Sequence, residues 1–349
     1  MKRKWISLCL ILALSAGLAG CSPQEADIPA GAKAAYGCQP QGTLSVFDNS
    51  YAIAPAESKA VFYKDLTTGA LRRADRGFQN AVTLAEGEIV GIGFEDGSLF
   101  YARVTADEDG NPVSHLIRAD ARGENPEIIF TTERSIRQMI LSDRLIYFVA
   151  YNDEASELWR CNLKGQSLVT VVGGDYAVGD FTVTSDTIYF NMAWADMIGD
   201  YSTYRCGISG AGITPTGFRR GGSFFYAGDG LYSAVPYGEH NLLLERLDPE
   251  ANTEDPYLVE EGGSMVSALW FTDHTLYFSL WGYRNLYKID LESRKVDLLY
   301  EEDAEYEEGE EIFFTGMAMA AGRLVLCDSV GKQYIVRTDV QPIAPEPLG

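Results

Sequence analysis

The chain has 349 residues, of which 46% are hydrophobic and 22% are charged, and it contains 35 glycines and 13 prolines. This composition provides for a sizeable core and excludes collagen-like, coiled-coil and wholly disordered proteins. The 28 Lys and Arg residues against 50 Asp and Glu residues give a net charge of −22. Such a charge repels the phosphate backbone, so we expect no nucleic-acid partner.

The first twenty residues have the pattern of an export signal. Met1–Lys4 carry three positive charges, and Trp5–Leu18 are almost entirely apolar. The apolar run is shorter than the roughly 20 residues of a membrane span. It ends in Leu18-Ala19-Gly20-Cys21, which resembles the lipobox of bacterial lipoproteins. The resemblance implies cleavage before Cys21 and a palmitate-type lipid on its thiol; an ordinary secretory signal cut near Cys21 is the alternative.

The lipobox implies three segments and a location. Residues 1–20 are a signal peptide, residues 21–35 are the lipidated cysteine and a polar, proline-broken tether, and residues 36–349 are the globular part. The protein is then held by its lipid on the extracytoplasmic side of the cell membrane or the outer membrane. By resemblance to the usual sorting rule, Ser22 favours the outer membrane in an organism that has two membranes.

The rest of the chain repeats. The clearest unit is Val266–Tyr300, where four apolar runs of five to seven residues are separated by turn formers, as in four short strands. An aliphatic residue that opens the second strand recurs at intervals of 42 to 55 residues, at Leu44, Leu99, Ile146, Ile188, Leu231, Leu276 and Leu324. Asp and Gly precede most of these positions and tolerate the positive φ of a tight hairpin.

The third strand of most units ends in a basic residue, any residue, and Asp or Asn. The pairs are Arg118/Asp120, Arg160/Asn162, Arg246/Asp248, Lys288/Asp290 and Arg337/Asp339. We interpret the acid or amide as an Asx turn that accepts backbone N–H groups, because the pair recurs where the hairpin recurs.

Units of about 45 residues predict an all-β chain with a single β-propeller of seven four-stranded blades, with six or eight blades as alternatives. Each sheet has two apolar faces, and blades stacked in a ring cover each other. In the first blade, Gly42–Asp48, Ala60–Leu66 and Ala70–Arg73 are assigned as the second, third and fourth strands. Val340–Ile343 is assigned as the last strand, and the two termini are expected to meet in the closing blade.

Residues 276–291 contain Leu-Tyr-Phe followed by Leu-Tyr-Lys-Ile-Asp-Leu, which resembles the TolB-type propeller repeat. Over about residues 36–340 the chain is similar to uncharacterised propeller lipoproteins of bacterial surfaces. The resemblance implies the fold and says little about activity, because propellers have many functions. The chain lacks TolB's Ser-Pro-Asp-Gly turn and its separate N-terminal domain, so a role in the Tol system is not implied.

One face of the predicted propeller carries the candidate site. The loops between second and third strands, the first of them assigned to Asn49–Glu57, and the loops between blades emerge on this face. They carry aromatic side chains beside polar ones: Trp194, Asp196, Asp200, Tyr201, Tyr237, His240, Trp281, Tyr283 and Arg284. This mixture suits a glycan or a protein partner. The alternative is that the rings cover the rim of the core.

Two acidic segments are weaker candidates. Glu301–Glu311 has eight acids in eleven residues and could gather cations or a basic partner, or be a solvated loop. Asp107–Asn111 lacks the ligand spacing of an EF-hand and is better interpreted as a hairpin tip. The chain has only three histidines, and we expect neither a metal ion nor a cofactor.

The cysteines suggest one disulfide bond. Cys38 and Cys327 belong to the two blades that meet at ring closure, and an extracytoplasmic location permits a bond between them. Cys161 and Cys206 occupy matching positions on adjacent blades, about 10 Å apart, and are expected to be small core residues.

These features favour a monomeric, membrane-anchored protein that binds a glycan or protein partner without catalysis. The alternatives are a glycan hydrolase or lyase at the channel mouth and an envelope-assembly scaffold lipoprotein. The sequence has no Gly-x-Ser-x-Gly motif and no room for a hydrolase domain, which excludes a propeller peptidase. No catalytic residue is assigned, because 50 acids give no basis for choosing a pair.

Overall fold

The computed structural model describes residues 52–348, apart from residues 56–57, 153–154, 175, 185, 195–201, 217–222, 228–229, 238–240, 249–252, 261–265, 272–274, 281, 303–311 and 340–342. Side chains are described within this part except at residues 193–194, 223–227, 230, 233–237, 241–244, 253–260, 266–269 and 271. The described residues form 28 strands and no helix, as the all-β prediction required. Accordingly, they include no helical segment with the length and apolarity needed to span a membrane.

Four consecutive antiparallel strands make up each structural unit. Unit 1 has β1 (Ala52–Ile53), β2 (Ala60–Lys64), β3 (Leu71–Asp75) and β4 (Val82–Ala85). Unit 2 has β5 (Glu88–Glu95), β6 (Ser98–Ala106), β7 (Pro112–Asp120) and β8 (Glu127–Thr132). Unit 3 has β9 (Ser135–Ser142), β10 (Leu145–Tyr151), β11 (Ser156–Asn162) and β12 (Val169–Val172). Unit 4 has β13 (Tyr176–Val183), β14 (Thr187–Trp194), β15 (Ser202–Gly207) and β16 (Thr214–Pro215).

The last three units follow the same order. Unit 5 has β17 (Ser223–Ala227), β18 (Gly230–Tyr237), β19 (Asn241–Asp248) and β20 (Thr253–Glu260). Unit 6 has β21 (Val266–Phe271), β22 (Thr275–Leu280), β23 (Asn285–Asp290) and β24 (Val296–Glu301). Unit 7 has β25 (Phe314–Ala320), β26 (Arg323–Asp328), β27 (Gln333–Arg337) and β28 (Glu346–Pro347). Units 3 and 4 are joined into one eight-stranded sheet by a single parallel pairing of Ser156 with Ala177.

The first strands of the units lie on the inside. β1 contacts β5, β5 contacts β9, β9 contacts β13 and β13 contacts β17, and β21 contacts β25. β25 in turn contacts β1, so the last unit packs beside the first. The hydroxyl of Thr67 donates to the carbonyl of Gly331 at 2.8 Å, and the amide of Gln333 donates to the carbonyl of Lys64 at 3.0 Å. One hydrophobic cluster also contains residues of both units, so units 1 and 7 are held together by hydrogen bonds and by apolar packing.

The first unit differs from its sequence assignment by one strand. Residues assigned to the third and fourth strands are β2 and β3, and Asn49–Glu57 is not a loop between second and third strands because it contains β1. Gly42–Asp48 lies outside the described residues. The turn before β2 has no Asp-Gly pair: Ser58 accepts the N–H of Ala60 there. The signal that located the other second strands is therefore missing in unit 1.

The closing unit also differs from expectation. Its outermost strand is Glu346–Pro347, not Val340–Ile343, and Val340–Pro342 lie outside the described residues. All four strands of unit 7 come from one contiguous segment, so within the described part of the chain the two termini do not share a sheet. Pro347 lies on an outer strand, where a proline is tolerated because no further strand needs its N–H group.

The aliphatic repeat is confirmed in units 2 to 7. Each aliphatic residue is the second residue of its unit's second strand: Leu99, Ile146, Ile188, Leu231, Leu276 and Leu324. All six residues are buried. The preceding hairpins have positive φ at Asp96 and Gly97, at Asp143 and Arg144, and at Ala321 and Gly322. Leu44 lies outside the described residues, and Val61 of β2 takes the corresponding place in unit 1.

The turns after the third strands are Asx turns, as predicted. The Oδ1 atom of Asp120 accepts the N–H groups of Arg122 and Glu124 at 2.9 Å. Asn162 and Asp290 accept backbone N–H groups in the same way, as does Asp75 of unit 1. These donors stabilise the carboxylate form and hold the pKa of Asp75, Asp120 and Asp290 below the usual value.

Unit 7 departs from this pattern. Arg337 lies opposite Arg323, the first residue of β26. In unit 2, the residue opposite the first residue of β6, Ser98, is the turn residue Asp120. The predicted Arg337/Asp339 signature is therefore shifted by two residues and does not form the turn of the other units. Arg337 and Asp339 instead form an exposed ion pair at 3.1 Å.

The cores lie between neighbouring units. Cys161 packs in the cluster shared by units 2 and 3, and Cys206 packs in the cluster shared by units 3 and 4. Both are buried free thiols, and burial raises the pKa of both to about 12. They remain protonated at neutral pH and behave as small core residues, as the sequence suggested.

Glu95 links units 2 and 3 on the side of the hairpins between first and second strands. The residue is 8% exposed, and one carboxyl oxygen accepts the N–H of Arg144 at 2.8 Å. The second oxygen is buried and makes no hydrogen bond. Burial raises the pKa of Glu95, and Asp96 and Asp143 raise it further, against the opposing effect of the Arg144 N–H.

We expect Glu95→Gln to stabilise the protein at high pH and to be neutral at low pH. Because the folded-state pKa is raised, the carboxyl contributes most to stability below its ordinary pKa, and this contribution is lost as the pH rises through the raised value. Glutamine removes the buried charge and retains an oxygen for the Arg144 N–H. The gain in unfolding free energy at pH 8 should be roughly 1 kcal/mol or less.

Urea denaturation at pH 4, 6 and 8 measures this effect. Glu127→Gln, at the exposed start of β8, is the control and should show no such pH-dependent gain. If Glu95→Gln is less stable than the wild type at pH 8, then burial does not disfavour the charged form of Glu95.

Candidate functional site

The loop face comprises the loops between second and third strands and the loops that lead from one unit to the next. Strands in a unit alternate in direction, so both kinds of loop lie at the same end of the sheets. Contacts between the two kinds of loop confirm this: the N–H of Glu302, after β24, donates to the carbonyl of Arg284, before β23, at 3.0 Å. This is the face on which the sequence placed the candidate site.

Arg284 is the centre of a cluster that joins units 6 and 7. Its Nη1 atom lies 2.9 and 3.1 Å from the two carboxylate oxygens of Glu302, and its Nη2 lies 3.7 Å from Oδ2 of Asp328. The guanidinium also lies over the rings of Tyr334 and Phe314, 4.7 and 5.6 Å from their centroids. Arg284 therefore contacts side chains of both units, and its predicted role in facing a ligand stays a prediction.

Asp328 is the buried acid of this cluster. Its side chain is 1% exposed, and its Oδ2 accepts the hydroxyl of Tyr334 at 2.9 Å. Its Oδ1 accepts the N–H groups of Val330 and Lys332 at 3.2 and 2.8 Å. Burial raises the pKa of Tyr334, and so does its hydrogen bond to Asp328, so this hydroxyl stays a donor at neutral pH. The network fixes the end of β26 and the loop after it.

Tyr283 is held out into solvent by the same loop. It is 54% exposed, and it lies between Gly282, whose φ is +79°, and the anchored Arg284. The buried side chain of Asn285 accepts the N–H of Leu280 at 2.9 Å, which closes the loop at its base. An exposed ring on a loop fixed at both sides loses little entropy when it binds a partner.

A second cluster on the loop face holds the connection from unit 2 to unit 3 against unit 3. Arg134, between β8 and β9, lies 3.0 Å from the carboxylate of Glu157 and 5.2 Å from the centroid of the Trp159 ring. The indole N–H of Trp159 donates to the same carboxylate at 2.8 Å. A third contact, the ion pair between Lys64 and Glu88, joins units 1 and 2. Charged groups on this face thus fix neighbouring units to each other.

Most of the predicted ligand face lies outside the described residues. This applies to Asp196, Asp200, Tyr201, His240 and Trp281, while Trp194 and Tyr237 are described only as the last residues of β14 and β18. The structure therefore places Tyr283 and Arg284 of the predicted set, one exposed and one in the inter-unit cluster. Whether the remaining side chains converge stays a prediction.

Sequence reasoning overlooked Tyr151. It is the last residue of β10, is 41% exposed and stands at the start of a loop on the same face. The available signal was a tyrosine that ends a second strand, as Tyr237 ends β18 in unit 5. Tyr151 therefore joins Tyr283 as an exposed ring on the loop face.

The acidic candidates have structural roles where they are described. Glu302 pairs with Arg284, and residues 303–311 lie outside the described part. Asp107 accepts the N–H groups of Asp109 and Asn111 at 2.9 and 2.8 Å, which confirms a hairpin tip between β6 and β7. Among the residues described, no group of three or more His, Cys, Asp or Glu side chains is arranged to hold a metal ion.

Cys327 is a buried free thiol at the end of β26, with its Sγ 3.4 Å from the carbonyl of Asp328. Burial, together with the adjacent Asp328, raises its pKa to about 11. Cys38 and the lipidation residue Cys21 both lie outside the described residues. The Cys38–Cys327 bond therefore remains a prediction for the oxidised protein.

A cavity of ≈ 370 Å³ lies between units 6 and 7, away from the loop face. Its lining includes Tyr277, Lys288, Asp297 and Thr338. Lys288 lies in β23, two residues before Asp290 of the Asx turn, so the cavity is near the opposite end of the sheets. This cavity could not be predicted from the sequence, because its lining residues come from two different units.

No family model and no curated protein matches the sequence. Solved structures with similar folds include a Mycobacterium tuberculosis puromycin-hydrolyzing peptidase, at 14% identity and a TM-score of 0.58, with 86% of this chain and 52% of the peptidase covered. A GH74 xyloglucanase from Xanthomonas campestris has 14% identity and a TM-score of 0.58, with 90% and 55% covered. An oligogalacturonate lyase from Vibrio parahaemolyticus has 11% identity and a TM-score of 0.52, with 83% and 86% covered.

These similarities concern the fold. The three proteins are of the β-propeller type, and the chain shares their repeated all-β architecture. The chain spans about half the length of the peptidase and of the xyloglucanase. Identities of 11 to 14% carry no catalytic residue from them to this chain.

Proposed function

We propose that this protein is a lipid-anchored, extracytoplasmic β-propeller of seven four-stranded blades that binds a glycan or a protein partner through its loop face, without catalysis and as a monomer. Cys21 would carry the palmitate-type lipid, and residues 22–35 would tether the propeller to the cell membrane or outer membrane. The TolB-like repeat and the lipobox support this assignment from the sequence.

The exposed ring of Tyr283 is the observation that carries the binding proposal. It stands on a short loop whose base is closed by Asn285 and whose far side is anchored by Arg284. Aromatic rings are enriched as anchors in protein interfaces, and their faces stack on the C–H surfaces of sugars. The ion pairs around it hold the surface in one shape, which suits recognition.

A glycan hydrolase or lyase at the channel mouth is the second candidate. It is favoured by the fold similarity to the oligogalacturonate lyase, which extends over most of both chains. No acid pair is assigned to this activity. Release of a shortened or unsaturated product from a bound glycan would distinguish it from binding alone.

A soluble form that begins at residue 22 tests the function. We expect it to bind on a glycan array or to capture a protein from the cell envelope, with no product released. Tyr283→Ala should weaken binding about tenfold or more, as expected for an aromatic anchor. Ile213→Ala, an exposed apolar residue just before β16 on the opposite side, is the matched control and should bind normally.

Each other outcome decides between the candidates. Product release supports the enzyme. Capture of a membrane assembly complex with normal binding by Tyr283→Ala supports the scaffold lipoprotein. Normal binding by Tyr283→Ala, with or without product, contradicts the role given to this ring. Cys21→Ala should release the full chain from the membrane fraction if the lipid anchor exists.

A further inference from the structure

The cavity between units 6 and 7 is lined by a row of three polar side chains from unit 6. In register, Tyr277 of β22 lies opposite Lys288 of β23, and Lys288 lies opposite Asp297 of β24. Residues directly opposite on paired strands lie on the same face of a sheet. Tyr277 belongs to the core cluster that contains Phe314 of unit 7, so this face is turned toward unit 7. The three side chains line the cavity together with Thr338 of unit 7.

The cavity lies where other pairs of units are in close contact. In units 1, 2, 3 and 6, one residue of the fourth strand falls in a register shift and has no partner on the third strand: Leu84, Ile129, Val171 and Leu299. In units 1 to 3 this residue lies against a positive-φ glycine in the turn of the next unit: Gly123, Gly165 and Gly210. Residues 338–348, which follow β27 in unit 7, contain no glycine. In unit 6 the corresponding residue lines the cavity.

Lys288 takes the register position that Arg73 takes in unit 1. Arg73 reaches across to unit 2, where it contacts the carboxylate of Glu124 at 3.0 Å. In unit 7 the turn is shifted, and its described acid, Asp339, forms an exposed ion pair with Arg337. Between units 6 and 7, the basic residue of the repeat therefore faces a cavity where unit 2 supplies a carboxylate.

Two acids lie near Lys288, and each has other partners. Asp297 pairs with Lys295 at 2.6 Å, and Asp290 accepts the N–H and the hydroxyl of Ser293, both at 2.7 Å. The hydrogen bonds from Ser293 hold the pKa of Asp290 below its usual value, with a smaller contribution from the charge of Lys288. Among the described side chains, no ion pair joins Lys288 to either acid. The Lys288 ammonium is therefore available to a carboxylate that enters the cavity.

Hydroxyl groups complete the polar lining. Burial raises the pKa of Tyr277, and the hydroxyl of Thr338 opposes this rise, so the two hydroxyls lie close to each other. Both are protonated at neutral pH and can donate as well as accept a hydrogen bond. The volume of ≈ 370 Å³ falls within the range of small-molecule sites. Leu298 also lines the cavity and is 50% exposed, so the cavity is accessible from solvent.

We infer that this cavity binds a small sugar acid, whose carboxylate contacts the ammonium of Lys288 and whose hydroxyl groups contact the two hydroxyls and the Asp297 carboxylate of the lining. A neutral sugar would leave the ammonium without a counter-charge, and a simple carboxylate would leave the other polar groups without partners. An amino acid is a poorer match, because its ammonium would compete with Lys295 for Asp297. The ligand would bridge units 6 and 7, at the opposite end of the sheets from the loop face.

Calorimetric titration of the full chain in detergent micelles with D-glucuronate tests this site. Two further probes separate its parts, since D-glucose lacks the carboxylate and acetate lacks the hydroxyl groups. We expect glucuronate to bind with a dissociation constant of about 1 mM or lower. Glucose and acetate should each bind about tenfold more weakly or less, because each lacks the contacts that the other retains.

Variants assign the binding to the cavity. Lys288→Met keeps much of the apolar stem and removes the ammonium, and it should weaken glucuronate binding about tenfold or more. Thr338→Val removes one hydroxyl and should weaken binding about fivefold, as expected for one hydrogen bond. Lys164→Met is the matched control and should bind normally, because Lys164 is an exposed lysine in the turn after β11, at the same end of the sheets.

Several results would overturn the inference. These are equal binding by the wild type and Lys288→Met, and binding of glucose or acetate that is as tight as that of glucuronate. Binding that is lost in Tyr283→Ala and kept in Lys288→Met would place the sugar on the loop face instead.

Thermal unfolding gives a readout that needs no variant, should Lys288→Met fail to fold. A ligand that binds only the folded state raises the melting temperature with the logarithm of its concentration. We expect this rise with glucuronate at constant ionic strength. A melting temperature that is the same in glucuronate and in acetate would also overturn the inference.

Discussion

Gly165→Ala is expected to lower the free energy of unfolding by about 3 kcal/mol or more, from the cost of a left-handed alanine together with overpacking. Gly165 has a φ of +69° in the turn after β11. A Cβ atom there would lie 2.0 Å from the carbonyl oxygen of Ile129 and 2.6 Å from its carbon. Ile129 belongs to β8 of the neighbouring unit, so backbone approaches backbone between two units and neither side can yield by rotating a side chain.

Two other glycines separate the backbone clash from the cost of a positive φ. Gly97→Ala shares the φ of +69° but has open space around the new Cβ, and should cost about 1 kcal/mol. Gly123→Ala, in the equivalent turn of unit 2, would meet a terminal methyl of Leu84 at 2.4 Å, which can move, so an intermediate cost is expected. Denaturation in guanidinium gives all three values. Equal losses for Gly97→Ala and Gly165→Ala would show that the units are not packed as closely as described.

The repeat could be predicted because hairpin chemistry is local. Asp96-Gly97 and Ala321-Gly322 adopt positive φ in the structure, and the aliphatic residues that follow them open the second strands. The second strand of the first unit could not be recognised in this way, because the β1–β2 connection contains Pro55 and Ser58 in place of an Asp-Gly pair. Without an Asp-Gly pair before β2, the assignment was displaced by one strand, and the interval of 55 residues from Leu44 to Leu99 is the longest of the series.

The site was less predictable because its contacts cross between units. The sequence identified Arg284 as a polar residue on a loop, and it could not show that Glu302 and Asp328, which lie far along the chain, meet at its guanidinium. Composition and spacing predict which residues lie on the loop face, whereas the ion-pair partner of each charged side chain depends on how the units pack against each other.

Replacement of Arg284 by methionine is expected to cost about 3 kcal/mol of stability, the usual loss when one partner of a buried ion pair is removed. Methionine keeps much of the apolar stem over Phe314 and Tyr334 but removes the charge that faces Asp328. Asp328 is 1% exposed at its side chain and cannot gain water in exchange. Its remaining donors, the Tyr334 hydroxyl and two backbone N–H groups, carry no full positive charge.

Arg337→Met is the matched control. It breaks the exposed ion pair between Arg337 and Asp339 of unit 7 and should cost less than about 1 kcal/mol. Arg284→Met should also weaken partner binding less than Tyr283→Ala at temperatures where it is fully folded, because Arg284 fixes the loop and Tyr283 makes the contact. If Arg284→Met proves as stable as Arg337→Met and abolishes binding, then Arg284 faces the partner, and the ion pairs of the loop face are not what holds units 6 and 7 together.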